Sequence, residues 1–346
     1  MKFAVIASCL CVLLLTSNVV AWHGPGHYIV AHIAQTYLQQ NNPDALDWAN
    51  KILAPYTDVC GENLYPFVEA ATWPDKIKDQ GWHIFDNHHF MSNYWYTEGG
   101  VPKAFQSDTF ANIIFAIGEN VDTLSSNRVD PYGSSKSIFG KSLSLRTLIH
   151  FIGDIHQPLH AEERVTAKKP NGDMGGNLFY IKHYNDSHMD NLHFIWDEMF
   201  MPYNTSIRTN LPPEKYQFID EWSKGIQAEY TFESLKPQIQ RNGNQKAWSD
   251  ESFAIAKSFA YNGLYENQDL PQLYQDMGRD ICRQRVALGG YRLGITLDAI
   301  FKKIVQQGND VESKYVDKLI SFMGDKPKSP EYRLKKIREA AGQVSE

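Results

Sequence analysis

The sequence predicts an all-α protein, built as a single large multi-helix domain with one small β-hairpin. Apolar residues recur at helical spacing over long stretches, alternating strand-like runs are scarce, and helix starts and stops fall where the periodic stretches begin and end.

The chain opens with Met1 and Lys2, an apolar run from Phe3 to about Leu15, and compact residues through Ala21. This is the pattern of a secretory signal peptide, residues 1–21, with Trp22 as the first residue of the mature chain. The run is short for a membrane span and lacks a stop-transfer flank, so no membrane anchor is expected in the mature protein. Residues 22–305 read as the domain, and 306–346 as a charged C-terminal extension whose simplest role is a solvated terminus.

Within the domain, helices are predicted over about 25–40, 43–53, 63–72, 74–80, 102–126, 142–157, 190–199, 213–240, 246–263 and 270–306. Val101-Pro102 and Ser142 resemble helix starts, and Pro158 stops the helix carrying His150 and Asp154. Gly172 to Asn177 is a loop by composition, and Leu178 to Ile181 reads as one strand of the hairpin. In the segment from Ala287 to Gly294 the glycines permit close helix packing and carry no chemistry.

Charge narrows the function. Lys and Arg total 34 against 40 Asp and Glu, a formal net charge of −6, so no broad basic surface exists to hold a polyanion by counterion release alone. If the substrate is polyanionic, metal ions must supply much of the attraction. Of four cysteines, Cys9 and Cys11 leave with the leader, and an oxidising compartment would allow a disulfide between Cys60 and Cys282. Asn185 and Asn204 begin N-glycosylation sequons, consistent with secretion or a lysosome-like secretory compartment.

The chemistry lies in the spacing of histidines and aspartates. His27 follows Trp22 closely, at the start of a predicted helix. Asp75 follows Pro74, which suits a first helical turn, and His89 sits in an aromatic cluster. The densest segment runs from His150 through Asp154 to His160. Residues four apart share a helix face, so His150 and Asp154 can grip one ion, while Pro158 frees His160 to turn toward another. His193 and Asp197 repeat the spacing. One such pair is weak, because surface ion pairs look the same; two pairs plus His160 make a metal centre. Nitrogen and carboxylate donors without thiolates suit catalytic zinc, and a calcium site would want more oxygens.

On these motifs, from Trp22 to about Leu297, the chain resembles the S1/P1 nuclease family, single-strand-specific zinc nucleases and 3'-nucleotidases that share a fold with bacterial zinc-dependent phospholipase C. The resemblance implies three zinc ions. One would be held by Asp75, His89, His150 and Asp154, with Asp154 bridging to a second ion held by His27 and by the amino group and carbonyl of Trp22. The third would be held by His160, His193 and Asp197. It also implies that Lys78, where the family commonly has arginine, steadies charge on the phosphoryl oxygens, that Phe90 stacks a base, and that Asn177 reaches the phosphate or nucleotide. Ser92 stands where the family often has aspartate, which bears on base preference.

His88 neighbours His89 and competes with it for the metal; the resemblance favours His89, because the following Phe90 matches the family's His-Phe pattern while His88 stands where an aromatic residue is usual. His23, His32, His83, His156, His183 and His188 are read as surface or core residues.

The function implied is a secreted zinc endonuclease cutting single-stranded DNA and RNA to 5'-phosphate products, with 3'-nucleotidase activity. Nucleic acid and nucleotides are its substrates, and no stable protein partner is implied. Two alternatives stand beside it. A zinc phospholipase C shares the ligand pattern, but typically has glutamate at the Asp197 position and a shorter gap than that between His160 and His193. The other is a secreted zinc-binding interaction protein without catalysis.

Overall fold

A computed structural model gives the structure of the chain, describing residues 22, 24–103, 111–126, 138–182, 189–200, 211–240 and 244–307. The expected signal peptide, both sequons and the extension beyond residue 307 lie outside the described residues.

The architecture is helical, as the spacing predicts. Helix α1 spans Gly24–Asn41 and is buried from Pro25 to Ala34 on all sides, as expected of a helix with apolar residues around its whole circumference. Helix α2, Pro43–Leu53, starts where the Asn42 side chain accepts from the Ala45 N–H. Short helices α3 (Thr57–Cys60) and α4 (Pro66–Glu69) and a 3-10 turn at Ala70–Thr72 lead into α5, Trp73–Asp79. The single helix expected over 63–72 is thus shorter and broken. Glu69 bends back to accept from the N–H groups of Leu64 and Tyr65 at 2.9 and 2.8 Å, which ends helical pairing upstream of Pro66.

Helix α6 covers Ile113–Ser125 and does not begin near Pro102. Asn112 is extended and its side chain accepts from the Phe115 N–H at 3.1 Å, so the cap sets the start. Helix α7, Ile138–Asp154, ends at Asp154, and Pro158 opens a 3-10 turn over Pro158–Ala161. Strands β1 (Tyr94–Tyr96) and β2 (Glu163–Val165) form a parallel pair that the sequence pattern does not announce, because three residues are too few for alternation. The expected hairpin is present as β3 (Tyr180–Lys182) against β4 (Met189–Asn191). Asn191 then caps α8, Leu192–Asp197, so that helix starts two residues later than expected.

The predicted helix 213–240 is two, α9 (Pro213–Glu229) and α10 (Phe232–Ile239), with Thr231 capping the second by accepting from the Ser234 N–H. Helix α11, Gln245–Ile255, runs on into a π turn, and α12 spans Gln272–Gln306. No described helix is long and apolar enough to cross a membrane.

Close packing centres on α1 and α12. A Cβ at Gly290 would stand 2.6 Å from Ile33, and one at Gly294 2.6 Å from Tyr37 Cδ1, so these glycines let the two helices approach. A buried network fastens the chain between α7 and Pro158 to the same framework. Arg292 donates to His156 Nε2 at 2.9 Å and to Glu251 at 2.8 Å, while Arg285 Nε donates to the His156 carbonyl at 3.1 Å.

The anticipated disulfide is absent: Cys60 and Cys282 are both free thiols. Cys60 ends α3 in the surroundings of Arg146, Glu62 and Lys76, whereas Cys282 lies in α12 against the Trp196 carbonyl. The two sulfurs face different neighbours, and burial pushes both thiols up, Cys282 well above the usual range.

Candidate metal centre

Four elements converge on one buried cluster, supplying five side chains. His27 comes from the start of α1 and Asp75 from the first turn of α5. His89 closes a 3-10 turn over Asp86–His89, and His150 and Asp154 lie one turn apart on α7. Asp154 stands at the middle of this group. Its Oδ1 is 3.2 Å from His27 Nε2, and its Oδ2 is 2.9 Å from His89 Nδ1 and 3.2 Å from His150 Nε2. Asp75 Oδ1 lies 3.6 Å from His150 Nε2 and 3.7 Å from His89 Nδ1. The rings of His27 and His150 stack at 3.9 Å.

A second group forms beside it. His160, on the turn after α7, and His193, on α8, bring their Nε2 atoms to 3.0 Å. Asp197 lies one turn beyond His193, its Oδ2 3.4 Å from His193 Nε2 and its Oδ1 3.8 Å from His160 Nε2. The donor atoms of His27, Asp75 and His150, of His89, His150 and Asp154, and of His160, His193 and Asp197 form three groups compact enough to hold a metal ion.

Backbone carbonyls decide which imidazole nitrogens face the cluster. His150 Nδ1 donates to the Ala71 carbonyl, His160 Nδ1 to the His89 carbonyl and His193 Nδ1 to the Gly175 carbonyl, each at 2.6 Å. A neutral imidazole with Nδ1–H so engaged carries its lone pair on Nε2. In His160 and His193 those lone pairs point at each other, which is repulsive unless a cation sits between them. The same arrangement is how metal-binding histidines are held in the ligating tautomer. Asp75 Oδ1 and His89 Nε2 are buried without a hydrogen bond.

Electrostatics point the same way. Burial raises Asp75 to about 7, with the neighbouring Asp154 carboxylate adding to it, and pushes Asp154 and Asp197 well above the usual carboxylate range. Burial also drives His89 and His160 well below the ordinary histidine range. Neutral imidazoles and carboxylates deprived of water suit a divalent cation, which repays the desolvation of the anions and needs the imidazole lone pairs. The donor set fits zinc.

Trp22 is fully buried, and its indole N–H donates to the Gly153 carbonyl at 2.8 Å, placing it against the helix that carries His150 and Asp154. Lys78 is buried on α5, with Nζ 3.9 Å from Asp86 Oδ1. Phe90 is half-buried directly after His89. Asn177 is buried and donates to the Met174 carbonyl at 2.8 Å, within the loop whose Gly175 orients His193. His88 lies edge-on to Phe151 and is in none of the three donor groups, whereas His89 is.

Three contributors escape sequence reasoning. Gln157 donates to Asp197 Oδ1 at 2.7 Å and orients it. Gly175 has a φ of +61°, and a Cβ there would lie 2.6 Å from the Leu159 carbonyl. Gly153 is needed because a Cβ would come within 2.8 Å of His27 Nδ1. A Gly153→Ala protein is therefore expected to push His27 off Asp154 and lose roughly 10–100-fold in metal affinity. Zinc titration of the folded variant checks this; wild-type affinity would show that His27 has room to move.

Residues 22–302 match the S1/P1 nuclease family. Endonuclease 3 of Arabidopsis thaliana is 28% identical over 86% of this chain and 94% of its own length. Nuclease P1 of Penicillium citrinum is 25% identical over 81% of this chain and 97% of its own, and nuclease S1 of Aspergillus oryzae 25% identical over 81% and 91%. The match spans most of the chain and includes every residue of the buried cluster: the protein belongs to the S1/P1 nuclease family and is a hydrolase acting on phosphodiester bonds.

Proposed function

We propose that this protein is a zinc-dependent endonuclease cleaving single-stranded DNA and RNA to 5'-phosphate products, with 3'-nucleotidase activity, matured by loss of residues 1–21 and acting in a secretory or extracellular space. The observation that carries the reading is the convergence of His150, His160 and His193, each locked by a backbone carbonyl with Nε2 toward buried aspartates.

We assign three zinc ions to these donors. Asp75, His89, His150 and Asp154 would hold one, His27, Asp154 and the amino group and carbonyl of Trp22 a second, and His160, His193 and Asp197 a third. Bound zinc supplies a water acidic enough to act as nucleophile near neutral pH and charge to offset that on the leaving oxygen. The protein's own part is orientation. Asp154 ties the donors of α1 to those of α7, Gln157 fixes Asp197, and Lys78 places a positive charge beside Asp75 for the phosphoryl oxygens. Phe90 would stack a base, and Asn177 would bring the loop that orients His193 to the nucleotide.

The test is an incubation of the mature protein with single-stranded DNA, RNA, a 3'-mononucleotide and phosphatidylcholine, with and without a chelator. Nucleotide release abolished by the chelator and restored by zinc is expected. Lipid cleavage alone would favour a phospholipase, and no turnover at full zinc occupancy would favour a non-catalytic zinc protein. In the same assay Lys78→Ala should lower kcat by roughly 100-fold at unchanged zinc content, the scale of losing one charge-stabilising donor; an unchanged kcat removes Lys78 from the chemistry.

A further inference from the structure

An exposed apolar lip beside the centre is left unused by hydrolysis. All eight tryptophans fall among the described residues, and Trp82 alone is exposed, at 61%; Ile84, two residues on, is 65% exposed. Both lie on the turn that follows α5. Gly81, at a φ of +92°, reverses the chain there, and the Trp82 N–H donates to the Ile77 carbonyl at 3.0 Å. The turn is therefore anchored to the helix that carries Asp75 and Lys78.

Asp86 fastens its other end. Its Oδ2 lies 3.0 Å from His83 Nδ1, and its Oδ1 lies 3.9 Å from Lys78 Nζ. Lys78 in turn is close enough to Asp75, His89, His150 and Asp154 to influence all four electrostatically. A short run of charged contacts thus links the metal cluster to the turn that carries the lip, from Lys78 through Asp86 to His83, the neighbour of Trp82.

We propose that Trp82 is a stacking subsite for an unpaired base of a single-stranded polynucleotide, at least one nucleotide along from the phosphate that is cleaved, with Ile84 flanking the base. The proposal rests on the nuclease reading above and extends it to the strand outside the centre. With a formal net charge of −6 the chain offers no overall positive field to track the phosphates, so contact beyond the metal draws on base faces. An indole held in water gains most by covering its face, and a nucleobase offers a matching plane. Bases of a duplex are stacked on one another and unavailable, so the subsite also favours single strands.

The test measures kcat/KM on oligothymidylates of two and of six nucleotides, and inhibition by phosphorothioate oligothymidylates of the same lengths. Wild-type protein should prefer the longer strand. In Trp82→Ala that preference should fall about tenfold, mainly through KM, and Trp82→Phe should restore most of it. Circular dichroism and zinc content control for folding, which an exposed position should spare. Undiminished length preference in Trp82→Ala would overturn the subsite. So would binding to phosphatidylcholine vesicles that Trp82→Ala abolishes while oligonucleotide kinetics stay unchanged, which would make the lip a lipid-facing surface. Wild-type protein that cleaves neither strand would instead defeat the nuclease reading itself.

Discussion

An Asp154→Asn protein is expected to lose turnover by roughly a thousandfold or more while keeping its fold. Asp154 is the carboxylate shared by both halves of the larger group, with Oδ1 toward His27 and Oδ2 toward His89 and His150. Asparagine keeps one acceptor, removes the charge, and turns N–H donors toward imidazole lone pairs. The charge stabilisation supplied by a catalytic metal is several kcal/mol, and each 1.36 kcal/mol is tenfold in rate, which sets the size of the loss. Stability should move in opposite directions with and without metal. In chelator the variant should melt at or above the wild type, because a buried carboxylate held well above its usual range is costly and asparagine is neutral. With zinc added, the wild type should gain more, since ligand binding to the folded state stabilises it. Zinc stoichiometry, melting temperature and kcat/KM read the outcome together; a variant with full zinc and full activity would remove Asp154 from the centre.

The second large effect concerns the start of the mature chain. A protein that keeps one extra residue before Trp22 is expected to fold, to bind one zinc fewer, and to lose roughly a hundredfold or more in activity. A peptide nitrogen has no lone pair to give a metal, whereas a free amino group has. Trp22 is held in place whatever its amino group does, because its indole is bonded to Gly153 and its Cβ would stand 2.9 Å from one placed on Gly26. The loss should therefore appear in metal content and turnover, with the thermal transition of the chelated protein unchanged. Removal of the leader and completion of the centre would then be one event. Full activity in the extended protein would take the Trp22 backbone out of the site and leave the other eight proposed ligands in place.

The cluster was legible in the sequence to the extent that its parts lie close together along the chain. His150 with Asp154, and His193 with Asp197, are one helical turn apart, so a helix alone puts them on one face. Helix ends were less legible. Asn112, Asn191 and Thr231 act as caps through side-chain bonds to nearby N–H groups, and these competed successfully with periodic patterns that ran past them. The disulfide expectation failed because composition and compartment say nothing about which thiols meet.

Periodicity, turn residues and i,i+4 pairs are properties of neighbours along the chain, and so the sequence by itself determined the helical class, the hairpin and the two His/Asp pairs. The meeting of α1, α5, α7 and α8 depends on packing between residues far apart in the chain, and the tertiary structure alone decided it. It decided that His89 and not His88 faces Asp154, and that Gly153 must lack a side chain beside His27. It also decided the histidine tautomers, because the acceptors that set them are main-chain carbonyls of Ala71, His89 and Gly175. Every residue type has such a carbonyl, so no letter of the sequence could mark them.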